Sequence, residues 1–134
     1  MQFQKSTDYA IRILHYLYRY VPRGETPTAQ TIATATGMTY PYFIKLAALL
    51  RDHGLVKVVQ GRNGGYQIGK HARGISLYDV VLAIEGELQI YHRFEKGKEP
   101  QGACDVYAFF LDVQDALVHK LASTSIADFE QIDH

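Results

Sequence analysis

The apolar positions of this chain change period several times, and each change marks an element. Ala10, Ile13, Leu14, Leu17 and Val21 recur at helical spacing behind Ser6, a good N-cap residue. They predict a first helix with Arg12, His15 and Arg19 on its solvent side, ended by Pro22 and Gly24. A loop carrying Pro22, Gly24 and Pro27 follows. Thr28 is placed to cap a second helix that buries Ile32, Ala33 and Ala29, and Gly37 supplies a left-handed residue at its end. Thr39 is placed to cap a third helix, with Pro41 in the first turn, where its missing N–H has no intrahelical use. Phe43, Leu46, Ala47 and Leu50 form its buried stripe, Gly54 closes it, and Thr39, Tyr40, Ile44 and Lys45 remain on its exposed side.

The period then falls to that of strands. Val56-Lys57-Val58-Val59 and Tyr66-Gln67-Ile68 flank Gln60-Gly61-Arg62-Asn63-Gly64-Gly65, which predicts a short hairpin with glycine freedom at its tip and Asn63-Gly64 as a favourable turn pair. Ser76-Leu77-Tyr78-Asp79 is a capping box, with Ile75 and Val80 as its hydrophobic staple, and opens a fourth helix that Gly86 stops. Residues 87–104 carry no periodicity, and loops beyond about 12–15 residues are usually functional or disordered. Asp105 is placed to cap a long helix with the stripe Val106, Phe109, Phe110, Val113, Leu117 and Leu121. Ser125-Ile126-Ala127-Asp128 is a second capping box, opening a short terminal helix.

The predicted fold is therefore mostly α with one small β-hairpin. Helix, tight turn, helix and hairpin follow in the order of a winged helix-turn-helix module, a fold used to bind DNA. Residues 1–86 read as that domain, 87–104 as a loop of unusual length, and 105–134 as a dimerisation helix with a short terminal helix.

Charge adds to the picture. The 134-residue chain has a formal net charge of zero, but residues 1–73 hold ten Lys/Arg against three acids, and residues 74–134 hold four against eleven. A basic half suits phosphate, and an acidic half is kept off it. The single cysteine, Cys104, excludes an intrachain disulfide, and no apolar run approaches the ~20 residues of a membrane span. With no signal-peptide layout at Met1–Ser6, the expected location is cytoplasmic and no membrane partner is expected.

Enzyme chemistry finds no support. There is no His-x-x-x-His, Cys-x-x-Cys or nucleophile elbow, and the six histidines are scattered. The glycine run at Gly61 lies between two strands rather than before a helix, so it is not a phosphate-cradling loop. Thr39 and Lys45 are placed to reach the major groove or its flanking phosphates, and Arg62 and Asn63 the minor groove. A turn demands nothing of Arg62, whereas Asn63-Gly64 is also explained by turn geometry alone. The stripe of the long helix either packs in the protomer's own core or pairs two copies. Phe109 and Phe110 side by side favour a homodimer over palindromic DNA.

Particular motifs carry a family resemblance. From Ser6-Thr7-Asp8-Tyr9-Ala10 through Ile32-Ala33, Tyr42-Phe43, Leu46, Leu50-Arg51, Gly54-Leu55-Val56, Gly61, Gly64-Gly65-Tyr66 and Ile75-Ser76-Leu77 to Ile84-Glu85-Gly86, the chain resembles the iron–sulfur cluster regulator family. These are the IscR/NsrR/CymR-type winged helix-turn-helix transcription factors of bacteria. The resemblance implies a homodimer on palindromic promoter DNA, the long helix as dimer contact and residues 87–104 as sensor. The candidate DNA-contacting residues are Thr28, Thr39, Tyr40, Tyr42, Lys45, Gln60, Arg62, Asn63 and Gly64. Gln60 departs from the family, in which many members carry Arg before the first wing glycine.

Cluster-binding members place three cysteines in the sensor loop. Cys104 matches the last, while the positions near Lys98 and His92 hold none, so an iron–sulfur cluster is disfavoured. Cys104, His92 and Asp8 remain the sensor candidates, Asp8 because some relatives supply a carboxylate ligand there. A redox-sensing thiol at Cys104, or an apolar pocket among Tyr91, Phe94, Tyr107 and Phe110 for a small-molecule effector or partner protein, are the other inputs. The sequence therefore predicts a transcriptional regulator, a repressor in the first reading; the alternative is a winged-helix protein-interaction module without DNA binding.

Overall fold

The computed structural model describes residues 3–88 and 104–132, without the side chain of residue 104. The elements are α1 (Lys5–Arg19), α2 (Ala29–Thr36), α3 (Tyr40–Asp52), β1 (Val56–Val59), β2 (Gly65–Ile68), α4 (Leu77–Glu85) and α5 (Cys104–Ala122), with 3-10 turns at Ala72–Gly74 and Ile126–Asp128. One core unites them. Ile13 and Leu14 of α1, Ile32 of α2, Phe43, Leu46 and Leu50 of α3, Ile75 and Val80 around the start of α4, and Ile126 are all fully buried. The predicted stripes of α1 to α3 thus face a common interior, where a large-to-small change costs about 2–5 kcal/mol.

Caps set several boundaries. Thr28 accepts from Thr31 N–H, Thr39 from Tyr42 N–H, and Ser76 from Asp79 N–H while the Asp79 carboxylate accepts from Ser76 N–H. Gly37 adopts φ 75°, ψ 30° at the end of α2, a conformation costly for any other residue, and lets α3 turn away from α2.

Four sequence expectations are corrected, most of them by long-range packing. Ser6 is not the cap of α1. The N-cap position is Gln4, whose side chain makes no cap bond, and Glu85 at the end of α4 takes its place. One carboxylate oxygen accepts from Gln4 N–H at 3.1 Å and the other from the buried Thr7 hydroxyl at 2.5 Å. His15 is fully buried rather than solvent-facing, because the chain after α5 folds back over α1 and brings the Phe129 carbonyl within 3.1 Å of Nε2. Asp105 lies in the first turn of α5, which begins one residue earlier. The segment opened by Ser125 is a single 3-10 turn. Ser125 bridges antiparallel to Ser76, and Ile126 plugs the core, so the two boxes meet across one short ladder.

The stripe of α5 divides. Leu117 and Leu121 are half-buried within the protomer, whereas Val106, Phe109, Phe110 and Val113 are exposed, Phe109 by 60%. Gln114, polar and unremarkable in the sequence, is buried instead. The expected sensor loop falls almost entirely outside the described residues, and His92, Tyr91 and Phe94 with it.

Candidate nucleic-acid interface

The surface that α3 presents is built from its N-terminal turns. Burying Phe43, Leu46, Ala47 and Leu50 leaves Thr39, Tyr40, Pro41, Ile44 and Lys45 exposed, Tyr40 by 48%. These are hydrogen-bonding, apolar and cationic groups at the end of a helix of the kind that enters a major groove. Tyr42 sits differently. Its ring is half-buried edge-on to Tyr9, with centroids 5.7 Å apart, so it supports α3 rather than standing free of the surface.

The wing packs against the same helix. β1 and β2 pair antiparallel from Val56 with Ile68 to Val59 with Gly65. Gly64 N–H donates to the Gly61 carbonyl at 3.0 Å, which places Arg62 and Asn63 at the centre of the tip turn, both exposed. Neither has a positive φ, so the Asn63-Gly64 pair does not form the left-handed turn that its residue types favour. The adjoining glycines are needed for closeness instead. A Cβ on Gly64 would strike the Val59 carbonyl oxygen, and one on Gly65 the carbonyls of Thr26 and Pro27.

That closeness braces the wing. Tyr66 N–H donates to the Pro27 carbonyl at 2.9 Å, and the Thr26 hydroxyl to the Asn63 carbonyl at 2.6 Å. Tyr66 also packs edge-on against Phe43, at 5.1 Å between centroids, and so fixes β2 to α3. Burial raises the Tyr66 phenol above its ordinary pKa; Tyr40 adds to the rise and Arg51 opposes it. The phenol is therefore a neutral hydrogen-bond donor at physiological pH, between the recognition helix and the wing.

Two cations escaped the candidate set. Lys5 Nζ lies 5.5 Å from the centroid of the Tyr9 ring and lines a small cleft with Gly37, Thr39 and Tyr42, beside the N-terminus of α3. The i, i+4 spacing of Lys5 and Tyr9 was the available signal. Arg51, in the last turn of α3, lies close enough to Tyr66 to influence its phenol. Its exposed side chain puts a further charge near the base of the wing.

Of the sensor candidates, Asp8 is exposed and pairs with Arg12 Nε at 3.3 Å. It also borders an apolar cleft of about 350 Å³ shared with Phe3, Ile11, Leu77 and Leu121. Cys104 opens α5, and His92 lies outside the described residues. A cluster would need mostly thiolate ligands, and a chain with one cysteine does not supply that donor set.

Two helices joined by a tight turn, a braced wing and a cationic exposed face define a winged helix-turn-helix DNA-binding protein. Comparison with known proteins carries this further. The model of the Rrf2 family, described as iron-dependent transcriptional regulators, matches residues 3–131. The chain belongs to the Rrf2 family of transcriptional regulators, and is a regulator rather than an enzyme. It is 31% identical to the HTH-type transcriptional regulator NsrR of Halalkalibacterium halodurans over 94 residues, which are 70% of this chain and 64% of that protein. Among solved structures it is similar to CymR, the global cysteine regulator of B. subtilis, at 23% identity and a TM-score of 0.77, covering 96% of this chain and 95% of that one. T. potens IscR is similar at 26% identity and a TM-score of 0.71, over 96% and 85% of the two chains. No helix among the described residues is long and apolar enough to cross a membrane.

Proposed function

We propose that the protein represses transcription in the cytoplasm by occupying palindromic promoter DNA as a homodimer. The observation that carries this reading is the joint exposure of Tyr40, Ile44 and Lys45 on α3 and of Arg62 and Asn63 on the wing tip, in the half of the chain that holds ten of its fourteen basic residues. In this reading Thr39, Tyr40 and Lys45 meet the major groove, while Gln60, Arg62, Asn63 and Gly64 meet the adjacent minor groove and its phosphates. Thr28 and Thr39 also hold their helices in place as caps, and Tyr42 acts by supporting α3.

The exposed Val106, Phe109, Phe110 and Val113 of α5 are the proposed dimer contact. Regulation enters through residues 87–104 without an iron–sulfur cluster, since Cys104 is the chain's only thiol. Cys104 next to a helix N-terminus suits a redox-sensitive thiolate. A visible absorption spectrum of anaerobically purified protein tests this: a featureless spectrum is expected, and cluster bands would overturn the cluster-free reading.

DNA binding is tested by selecting duplexes from a random pool and measuring affinity against salt. A steep fall in affinity with rising salt is expected as phosphate contacts release counterions. Arg62→Ala should weaken binding by about 1–3 kcal/mol. Absent or salt-independent binding would favour a winged-helix module that contacts proteins instead.

A further inference from the structure

Between the end of α1, the loop after it and the hairpin, two adjoining clefts of about 560 and 370 Å³ share Leu17, Val21, Arg23, Lys57 and Ile68. The floor is apolar. Leu17 and Ala72 are buried there, Val21 and Ile68 are half-buried, and Tyr18 stands edge-on to His71 at 6.4 Å between centroids. The rim is cationic. Arg23, Lys57 and Lys70 are exposed, and none of them pairs with an acid among the described residues. His71 accepts from Arg73 N–H through Nδ1, which leaves Nε2–H as a donor. Glu25 is the one acid of the lining and borders only the smaller cleft.

We propose that this cleft binds a small organic anion with an apolar body, such as an aryl or acyl carboxylate, and that it acts there as an effector of the wing. An apolar floor of this size under three unpaired cations and an imidazole donor matches the usual build of a small-ligand site, in which hydrocarbon is buried and a few polar groups fix the charged end. Duplex DNA is the poorer occupant, because phosphate has no use for the floor formed by Leu17, Val21 and Ile68. The site also has a route to function. Arg23 sits on the loop before α2 and Lys57 on β1, and the same loop braces the wing through Pro27 to Tyr66 and through Thr26 to Asn63. An anion held between Arg23 and Lys57 ties loop to strand and so biases the position of Arg62. Only this last consequence rests on the DNA-binding reading; the binding itself does not.

The probe is anilinonaphthalenesulfonate, titrated into the full chain and followed at backbone amide resonances, with neutral phenylnaphthylamine as control. Saturable shifts clustered at residues 17–25, 57 and 67–72 are expected. Lys57→Gln combined with Lys70→Gln should weaken the sulfonate on the order of tenfold, the loss of one to two charge-assisted contacts, while leaving the neutral probe and the thermal transition unchanged. Shifts confined to α5, or equal weakening of both probes, would overturn the proposal. So would a double variant whose DNA affinity and salt slope fall while sulfonate binding holds, because the cations would then serve phosphate. Failure of Arg62→Ala to affect DNA would instead count against the regulator reading and leave these binding results standing.

Discussion

At Gly65 the chain of β2 runs directly beneath the carbonyls of Thr26 and Pro27, with no room for a methyl group. Gly65→Ala is expected to destabilise the fold by about 1–3 kcal/mol, the range for overpacking a closed contact, measured as a lower urea midpoint at an unchanged slope. Its neighbour Tyr66 gives a pH signature. The folded state raises the phenol above the unfolded value, so it holds the proton more tightly than the unfolded chain does. The resulting contribution is fully present below the unfolded pKa of about 10 and is lost as pH rises through the folded value. Tyr66→Phe keeps the ring contact with Phe43 and should remove that part of the alkaline loss, seen as the difference between the two proteins' stability curves above neutral pH. Both residues stand in a glycine-and-tyrosine run that is visible in the sequence, yet the reason for the run is not. Glycine freedom at the tip is the natural reading of the sequence, whereas Gly64 is needed because the Val59 carbonyl of its own hairpin lies close, and Gly65 because the carbonyls of Thr26 and Pro27 do. His15 fails similarly. Helical spacing puts it on the solvent side with Arg12 and Arg19, and only the returning C-terminal segment, more than a hundred residues away in sequence, turns that position into a buried one.

Elements were legible wherever their signals are local. Thr28, Thr39 and Ser76 cap the helices that their spacing announced, because a cap bond spans three residues and needs nothing else. The start of α1 was misread for the opposite reason. Its N-terminal groups are satisfied by Glu85, the last residue of α4, through bonds to Gln4 and Thr7 that no sequence window contains. Glu85 therefore joins the first helix to the point where the chain leaves the domain toward residues 87–104. Glu85→Ala would strand the buried Thr7 hydroxyl and expose the end of α1, and should cost about 1–3 kcal/mol in thermal or urea unfolding. The double variant with Thr7→Val removes both partners. It should recover part of that loss, and a fully additive result would show that the two groups do not act as a pair.

For the whole molecule, one helix has two unlike ends. The helix α5 packs on α4 and half-buries Leu117 and Leu121 in its C-terminal part, while Val106, Phe109, Phe110 and Val113 are exposed on its N-terminal part. The sequence showed a continuous stripe but not where the protomer's own core stops using it, since that depends on how far α4 reaches along α5. Four large apolar side chains at nearly successive turns of one helix form a contiguous patch, which monomeric proteins rarely leave open. In the proposed homodimer a second copy covers this patch; such regulators set their two recognition helices about 34 Å apart, one turn of duplex, and a pair would double the phosphate contacts. Phe109→Asp puts a charge in the middle of the patch, on a helix already carrying Asp105, Asp112 and Asp115, and in two copies brings like charges together. The variant is expected to sediment as a monomer with an unchanged circular dichroism spectrum, because Phe109 takes no part in the core. If the dimer is what reads DNA, the variant's salt slope on selected duplexes should fall to about half the wild-type value, each phosphate contact contributing about one unit. A monomer that keeps the full slope would show that one winged helix makes all the contacts, and a variant that stays dimeric would move the interface off this face of α5.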